Sequence, residues 1–228
     1  KSLLLNSLNF SVAMGPGLQD LPYITITDFG MSSALNIALL KSILPEHKRH
    51  QAVSVRVRNE AKFASNPFDT QLGFDRPTER ERDFQRFVVS AMAPNLGDDG
   101  GKFIGAVIDA AYEMFSRTSP EVKRWQRANH HEMTRIMDSL GIQSEGRRVY
   151  DLVDELFDHG KVHEAIVVQR YAVPVLYDLI SAAREQSVRD QYDRPGEPTP
   201  SKSGEAIVAV FTRAISAAAK DYALLATV

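Results

Sequence analysis

From Pro77 onward the apolar residues of this chain fall at helical spacing and keep that period to its last residues. Phe84, Phe87, Val88, Ala91 and Met92 mark one amphipathic helix, and Phe103, Ile104, Val107, Ile108, Ala111 and Phe115 mark the next. A charged stretch around Trp125, residues 120–140, is expected to be helical too. Val149, Leu152, Val153, Leu156 and Phe157 give a fourth stripe that stops before Gly160. A fifth helix is expected over 162–184, kinked at Pro174, which removes one backbone donor and crowds the carbonyl of Arg170. The last, 204–227, carries Ile207, Val210, Phe211, Ala214, Ile215, Ala218 and Tyr222. Each stripe needs a partner face, so residues 77–228 are expected to form an all-helical bundle. Residues 193–204, with three prolines and no apolar period, read as a mobile surface loop.

Residues 1–76 read differently. Leu5, Leu8 and Val12 give a helix from Ser2 to about Met14, ended by Gly15-Pro16-Gly17. Tyr23-Ile24-Thr25-Ile26-Thr27-Asp28-Phe29-Gly30 is an apolar, β-branched run that stops at a carboxylate, the pattern of a buried parallel strand with Asp28 at its carboxyl edge. A helix over 32–44 follows, ended by Pro45, and then Val53, Val55 and Val57 alternate with polar residues as in a second strand over 51–57. Helix, strand, helix, strand argues for an α/β layer. The expected fold class is therefore α/β in its first part and predominantly α overall, with a boundary near residue 76.

Composition sets few limits on partners. The 228 residues are 43% apolar, enough for a substantial core, and the net charge of −2 gives no global footprint for nucleic acid or an acidic membrane surface. DNA stays open as a partner but is not indicated by charge. No cysteine is present, so disulfides and thiolate metal sites are excluded. No apolar run approaches the roughly 18 residues of a membrane span, and the chain reads as soluble and cytoplasmic.

Four strings carry chemistry. Lys1-Ser2, followed by a leucine-rich helix, matches the last two residues of the phosphate-loop pattern G-x-x-x-x-G-K-[ST]. The others are Ile24-Thr25-Ile26-Thr27-Asp28-Phe29-Gly30, Asn66-Pro67-Phe68-Asp69-Thr70-Gln71-Leu72-Gly73 and Gln169-Arg170-Tyr171-Ala172-Val173-Pro174. In this order and at these separations they resemble the IcmB/DotO and conjugative TraU family of type IV secretion ATPases, over essentially the whole chain. That resemblance implies a partial RecA-like P-loop core in 1–76, interrupted by an all-helical insertion in 77–228. It implies ATP and Mg²⁺ as cofactors, with Lys1 on the β and γ phosphates, Ser2 on the metal ion and Leu3 beside them. Asp28 is implied as the catalytic acid near the γ-phosphate, and Asn66 and Asp69 as residues shaping the nucleotide edge. It further implies a ring-like homo-oligomer, associated with other type IV secretion subunits at the cytoplasmic base of an inner-membrane channel. The glycines expected before Lys1 and the acid-tipped strand of a complete core do not occur within residues 1–228, so these residues alone are not expected to turn over ATP.

Other constellations read as structure. His159 and His163 are four apart, but Gly160 breaks the helix between them and no third zinc ligand is placed by spacing. Asp98-Asp99-Gly100-Gly101 reads as a helix N-cap, not as a calcium loop. Lys48, Arg49, Arg56 and Arg58, and Lys123, Arg124 and Arg127 around Trp125, read as solvated charged faces, and no arginine is singled out as one that reaches a neighbour's nucleotide. Two other functions remain open: a noncatalytic helical module that docks subunits, and a DNA-pumping motor of the FtsK or HerA kind.

Overall fold

The computed structural model describes residues 2–15, 22–26, 32–60 and 63–222, with the backbone alone for 2–5, 32 and 33. The chain is predominantly helical, and the only sheet among the described residues is a two-stranded hairpin. It divides into two compact units, Lys1–Val57 and Arg58–Val228.

In the first unit, α1 (Ser2–Met14) and α2 (Ser32–Ile43) fall where the apolar spacing puts them. The Asn36 amide donates to the Asn6 carbonyl at 3.2 Å, tying the two helices together. Pro45 stops α2, and a 3₁₀ turn, Glu46–Gln51, follows. The two expected strands are corrected by the structure: residues 22–26 and 52–58 have no regular structure, and 27–30 lie outside the described residues. Tyr23, Val53, Val55 and Val57 are exposed. A strand exists only where a neighbour takes its N–H and C=O groups, and no described segment pairs with either one. An α/β layer is therefore not seen among the described residues of this unit.

The second unit holds two apolar cores. The first gathers α3 (Glu79–Met92), α4 (Gly100–Met114), α8 (Asp178–Ala182), α9 (Gln186–Tyr192) and α10 (Ile207–Asp221) around Phe103, Ile108, Leu179 and Phe211. Phe103 meets Phe211 and Tyr192 edge-on, each at 5.2 Å between ring centres. The second core joins α5 (His131–Ser139), α6 (Val149–Asp158) and α7 (Val162–Gln169) around Trp125, Met137, Leu152 and Leu156.

The helix ends follow from local chemistry. Thr78 and Glu81 form a reciprocal capping box at the start of α3, each side chain taking the other's backbone N–H. Gly160 has φ 71°, the conformation that lets its own N–H bond Phe157 O and the Lys161 N–H bond Leu156 O, closing α6 as a Schellman turn before α7.

Four expectations need correction. Residues 120–126 are not helical: Trp125 N–H donates to Arg147 O and Gly146 N–H to Trp125 O, so this segment is shaped by a partner distant in sequence. The expected helix over 162–184 is broken, not kinked, because carbonyls freed near Pro174 find outside donors. Lys123 Nζ donates to Val173 O at 2.9 Å and Asn66 Nδ2 to Pro174 O at 2.8 Å. The loop 193–204 is ordered by hydrogen bonds, with β1 (Asp193–Arg194) and β2 (Glu197–Pro198) turning at Gly196 and Lys202 bonded to the carbonyls of Asn95 and Pro94.

The fourth correction concerns α3, which buries Gln85 and Val89 and turns Phe84 and Phe87, 56% and 72% exposed, to the surface. The amide of Gln85 lies inside, where Nε2 donates to Tyr112 Oη at 2.8 Å and Oε1 is buried without a protein partner. The side of α3 that faces the core can be tested by truncation. Val89→Ala, which removes two fully buried methyl groups, should cost about 1.5–3 kcal/mol in urea unfolding followed by circular dichroism, whereas Phe87→Ala should change stability by no more than about 0.5 kcal/mol.

Candidate functional site

Of the residues assigned from sequence, Lys1 and Asp28 lie outside the described residues, and Ser2 and Leu3 are described only as the first backbone positions of α1. Asn66 and Asp69 are placed in the second unit. There the segment 66–74 meets the segment 169–174 in one hydrogen-bonded network.

Asn66 begins the network. Its Oδ1 accepts from Phe68 N–H at 3.1 Å, an Asx turn, while its Nδ2 reaches Pro174 O. The turn drives Phe68 into the first core, where it is fully buried. The carbonyl of Phe68 accepts from Tyr112 Oη at 2.6 Å, and that hydroxyl in turn accepts from Gln85. Burial pushes the Tyr112 hydroxyl far above the ordinary tyrosine range, with the Gln85 hydrogen bond acting the other way, so it remains a donor at physiological pH.

Gln169, 3% exposed at the end of α7, fixes the other half of the turn. Its Oε1 accepts from Gly73 N–H at 2.7 Å. Its Nε2 lies 2.7 Å from Gln71 O, 3.0 Å from Thr70 Oγ1 and 3.2 Å from Thr70 O. Thr70 Oγ1 donates to Phe74 O at 2.7 Å. Gly73, at φ 87°, lets the chain turn back toward the amide.

Asp69 is the charged member. Its Oδ2 is 3.5 Å from Arg170 Nε, and its Oδ1 is buried without a protein partner. Desolvation raises its carboxyl above the ordinary range, and the Arg170 charge offsets only part of this. With Ser65, Asn66 and Pro67, and with Glu81, Phe84 and Val88 of α3, it borders a cleft of about 410 Å³. Among the described residues, no group of three or more His, Asp or Glu side chains is arranged to hold a metal ion. The arrangement offers a rigid turn and one carboxylate at the edge of a largely apolar cleft, and it shows no nucleophile paired with a base.

Sequence reading missed Gln85 and Tyr112, because both sit inside apolar stripes where spacing carries no sign of a polar role. Gln169 stood in a distinctive string, and no function attached to it until the fold brought 70–74 to its amide. Comparison of the chain with protein-family models, curated proteins and solved structures finds no match.

Two substitutions test the network. Gln169→Ala strands the Gly73 N–H and the Gln71 carbonyl, and should cost about 2–4 kcal/mol in urea unfolding read by Trp125 fluorescence. Gln169→Glu, which has no amide donor to offer those carbonyls, should cost at least as much. For Asp69 the sign follows from its raised carboxyl. The folded state holds this proton more tightly than the unfolded state, so the group's favourable contribution is complete below the unfolded value of 3.8 and is lost as pH rises through the higher folded value. Asp69→Asn should therefore melt with the native protein near pH 3.8 and gain on it as pH rises to 7, in parallel thermal melts.

Proposed function

We propose that this chain is part of a P-loop ATPase of type IV secretion or conjugation, similar to the IcmB/DotO and TraU family, coupling ATP hydrolysis to protein or DNA transfer. The observation that carries the reading is the meeting of 66–73 with 169–174: the two most distinctive strings of the resemblance, 96 residues apart at the Gly73–Gln169 bond, belong to one hydrogen-bonded unit.

In the first unit, the leucine-rich helix α1 directly follows the lysine and hydroxyl of the phosphate-loop pattern, the order in which such a loop leads into its helix. Bound Mg²⁺–ATP would supply the transferable phosphoryl group. Lys1 would hold its β and γ oxygens, Ser2 the metal ion, the backbone at Leu3 the phosphate edge, and Asp28 an attacking water. In this reading the parent protein works as a ring-like homo-oligomer with other secretion subunits, at the cytoplasmic face of the inner membrane. No helix among the described residues is long and apolar enough to cross a membrane.

A second reading, a noncatalytic module that docks neighbouring subunits, is favoured by the exposure of Phe84 and Phe87 on α3. The two readings separate in a chain extended through its native flanking coding sequence. The motor reading expects G-x-x-x-x-G directly before Lys1 and Mg²⁺-dependent ATP hydrolysis that falls at least about 100-fold in Lys1→Ala. Oligomerisation with neither the glycines nor turnover would overturn it in favour of docking. Turnover stimulated by duplex DNA in a salt-sensitive way would indicate a DNA pump.

A further inference from the structure

Beyond Gln169, the next two residues of the same string border a second cleft, of about 640 Å³, on the second unit. Arg170 and Tyr171 line it with Lys123, Arg124, Trp125 and His130, and no carboxylate is among its lining residues. Three basic residues therefore border one concavity. Lys123 Nζ is held 2.6 Å from Asp178 Oδ2, and Arg170 meets Asp69 through Nε at 3.5 Å, so each of these two is balanced by an acid outside the lining. Arg124 is not balanced in this way. It is exposed and makes one side-chain hydrogen bond, from Nη1 to Gly146 O at 2.9 Å. Most of its five guanidinium donors remain available.

The wall behind these cations is aromatic. The His130 ring lies 4.5 Å from that of Trp125 and 4.0 Å from that of Tyr171, centre to centre. Trp125 is locked by its indole N–H, which donates to Thr134 Oγ1 at 3.1 Å. Desolvation lowers the His130 imidazole below its ordinary value, so the wall carries no charge at neutral pH.

We propose that this cleft binds a small organic molecule bearing a phosphate group, gripped by Arg124 and Arg170 with its organic part against the His130–Tyr171 wall. Guanidinium forks match the paired oxygens of phosphate. A phosphate monoester presents three oxygens and about −1.5 to −2 charges at pH 7, which suits the unbalanced Arg124 guanidinium with Arg170 on the same lining better than a lone carboxylate does. The volume lies within the roughly 300–1,000 Å³ of small-molecule sites and far exceeds one oxyanion, so it calls for an organic remainder. The site uses no residue of the first unit and stands apart from the nucleotide reading.

Trp125 is the chain's single tryptophan and forms part of the wall, so its fluorescence reports occupancy directly. Titrating the full chain with ribose 5-phosphate should give a saturable change with Kd below about 1 mM, weakened at least about tenfold in Arg124→Ala. Arg124 is exposed, and unchanged melting of Arg124→Ala and Arg124→Gln would show that a loss of binding is not a loss of fold. Four results would overturn the proposal: no saturable change at about 10 mM ligand, an equal response to ribose, tighter binding of succinate than of ribose 5-phosphate, or binding that survives Arg124→Ala and is lost in Lys1→Ala. Inorganic phosphate binding as tightly as ribose 5-phosphate would likewise remove the organic part from the assignment.

Discussion

The second unit turns on one buried primary amide. Gln169 ends α7 and accepts from one backbone N–H while donating into a group of oxygens on 70–71, so it fixes the shape of a turn with no regular structure of its own. Buried backbone groups of an irregular segment must be satisfied by something outside it, and an amide is the side chain that both donates and accepts. Because the turn is held, Phe68 enters the first core, and because α7 stops at Gln169, Arg170 and Tyr171 are released to the surface cleft. The two apolar cores are thus joined by polar bonds as well as by packing, from Gln85 through Tyr112 and the turn to Gln169.

The helices that the sequence makes plain are those whose stripes have a single solution. The stripe from Phe103 to Ala111 and that from Val149 to Leu156 are buried as read, because the acids between them point away from a core, while Phe115 and Phe157, read as the ends of these stripes, are half-buried and exposed. In α3 the same reasoning chooses the wrong face. Apolar count favours Phe84 and Phe87, but the face that meets the core carries Val89 and Gln85, whose amide donates to a hydroxyl on α4. The segment before Trp125 and the break at Pro174 are hidden for a related reason. Their backbone partners are distant: Asn66 reaches Pro174 over 108 residues and Lys123 reaches Val173 over 50. Periodicity within a window does not carry such information.

Of the candidate site, the turn at Asn66 is legible because an Asx turn is written in local sequence, and its distinctiveness marks it without saying what it meets. Lys123 and Arg124 read as a solvated face until the fold brings Arg170 to the same concavity and leaves no acid on its lining. The valines at 53, 55 and 57 remain a strand pattern without a strand. Alternation shows what a segment could pair with, and pairing itself requires a neighbour whose edge is free.

The string 169–174 distributes its side chains and carbonyls among different surroundings within six residues. Gln169 serves the turn, Arg170 lies between Asp69 and the cationic cleft, Tyr171 forms the cleft wall, Ala172 and Val173 enter the core, and the Pro174 carbonyl receives Asn66. Arg170 is the shared member, and its position carries an electrostatic consequence. Its charge, beside Oδ2, is what opposes desolvation at Asp69, whose Oδ1 is buried with no partner in the protein. An anion that draws the guanidinium into the cleft weakens that opposition, so the carboxyl holds its proton to a higher pH. By linkage the reverse also follows: a proton on Asp69 frees Arg170 for the anion. Were the anion proposed for the larger cleft to engage Arg170, its occupancy and the protonation of Asp69 would be linked through this one guanidinium.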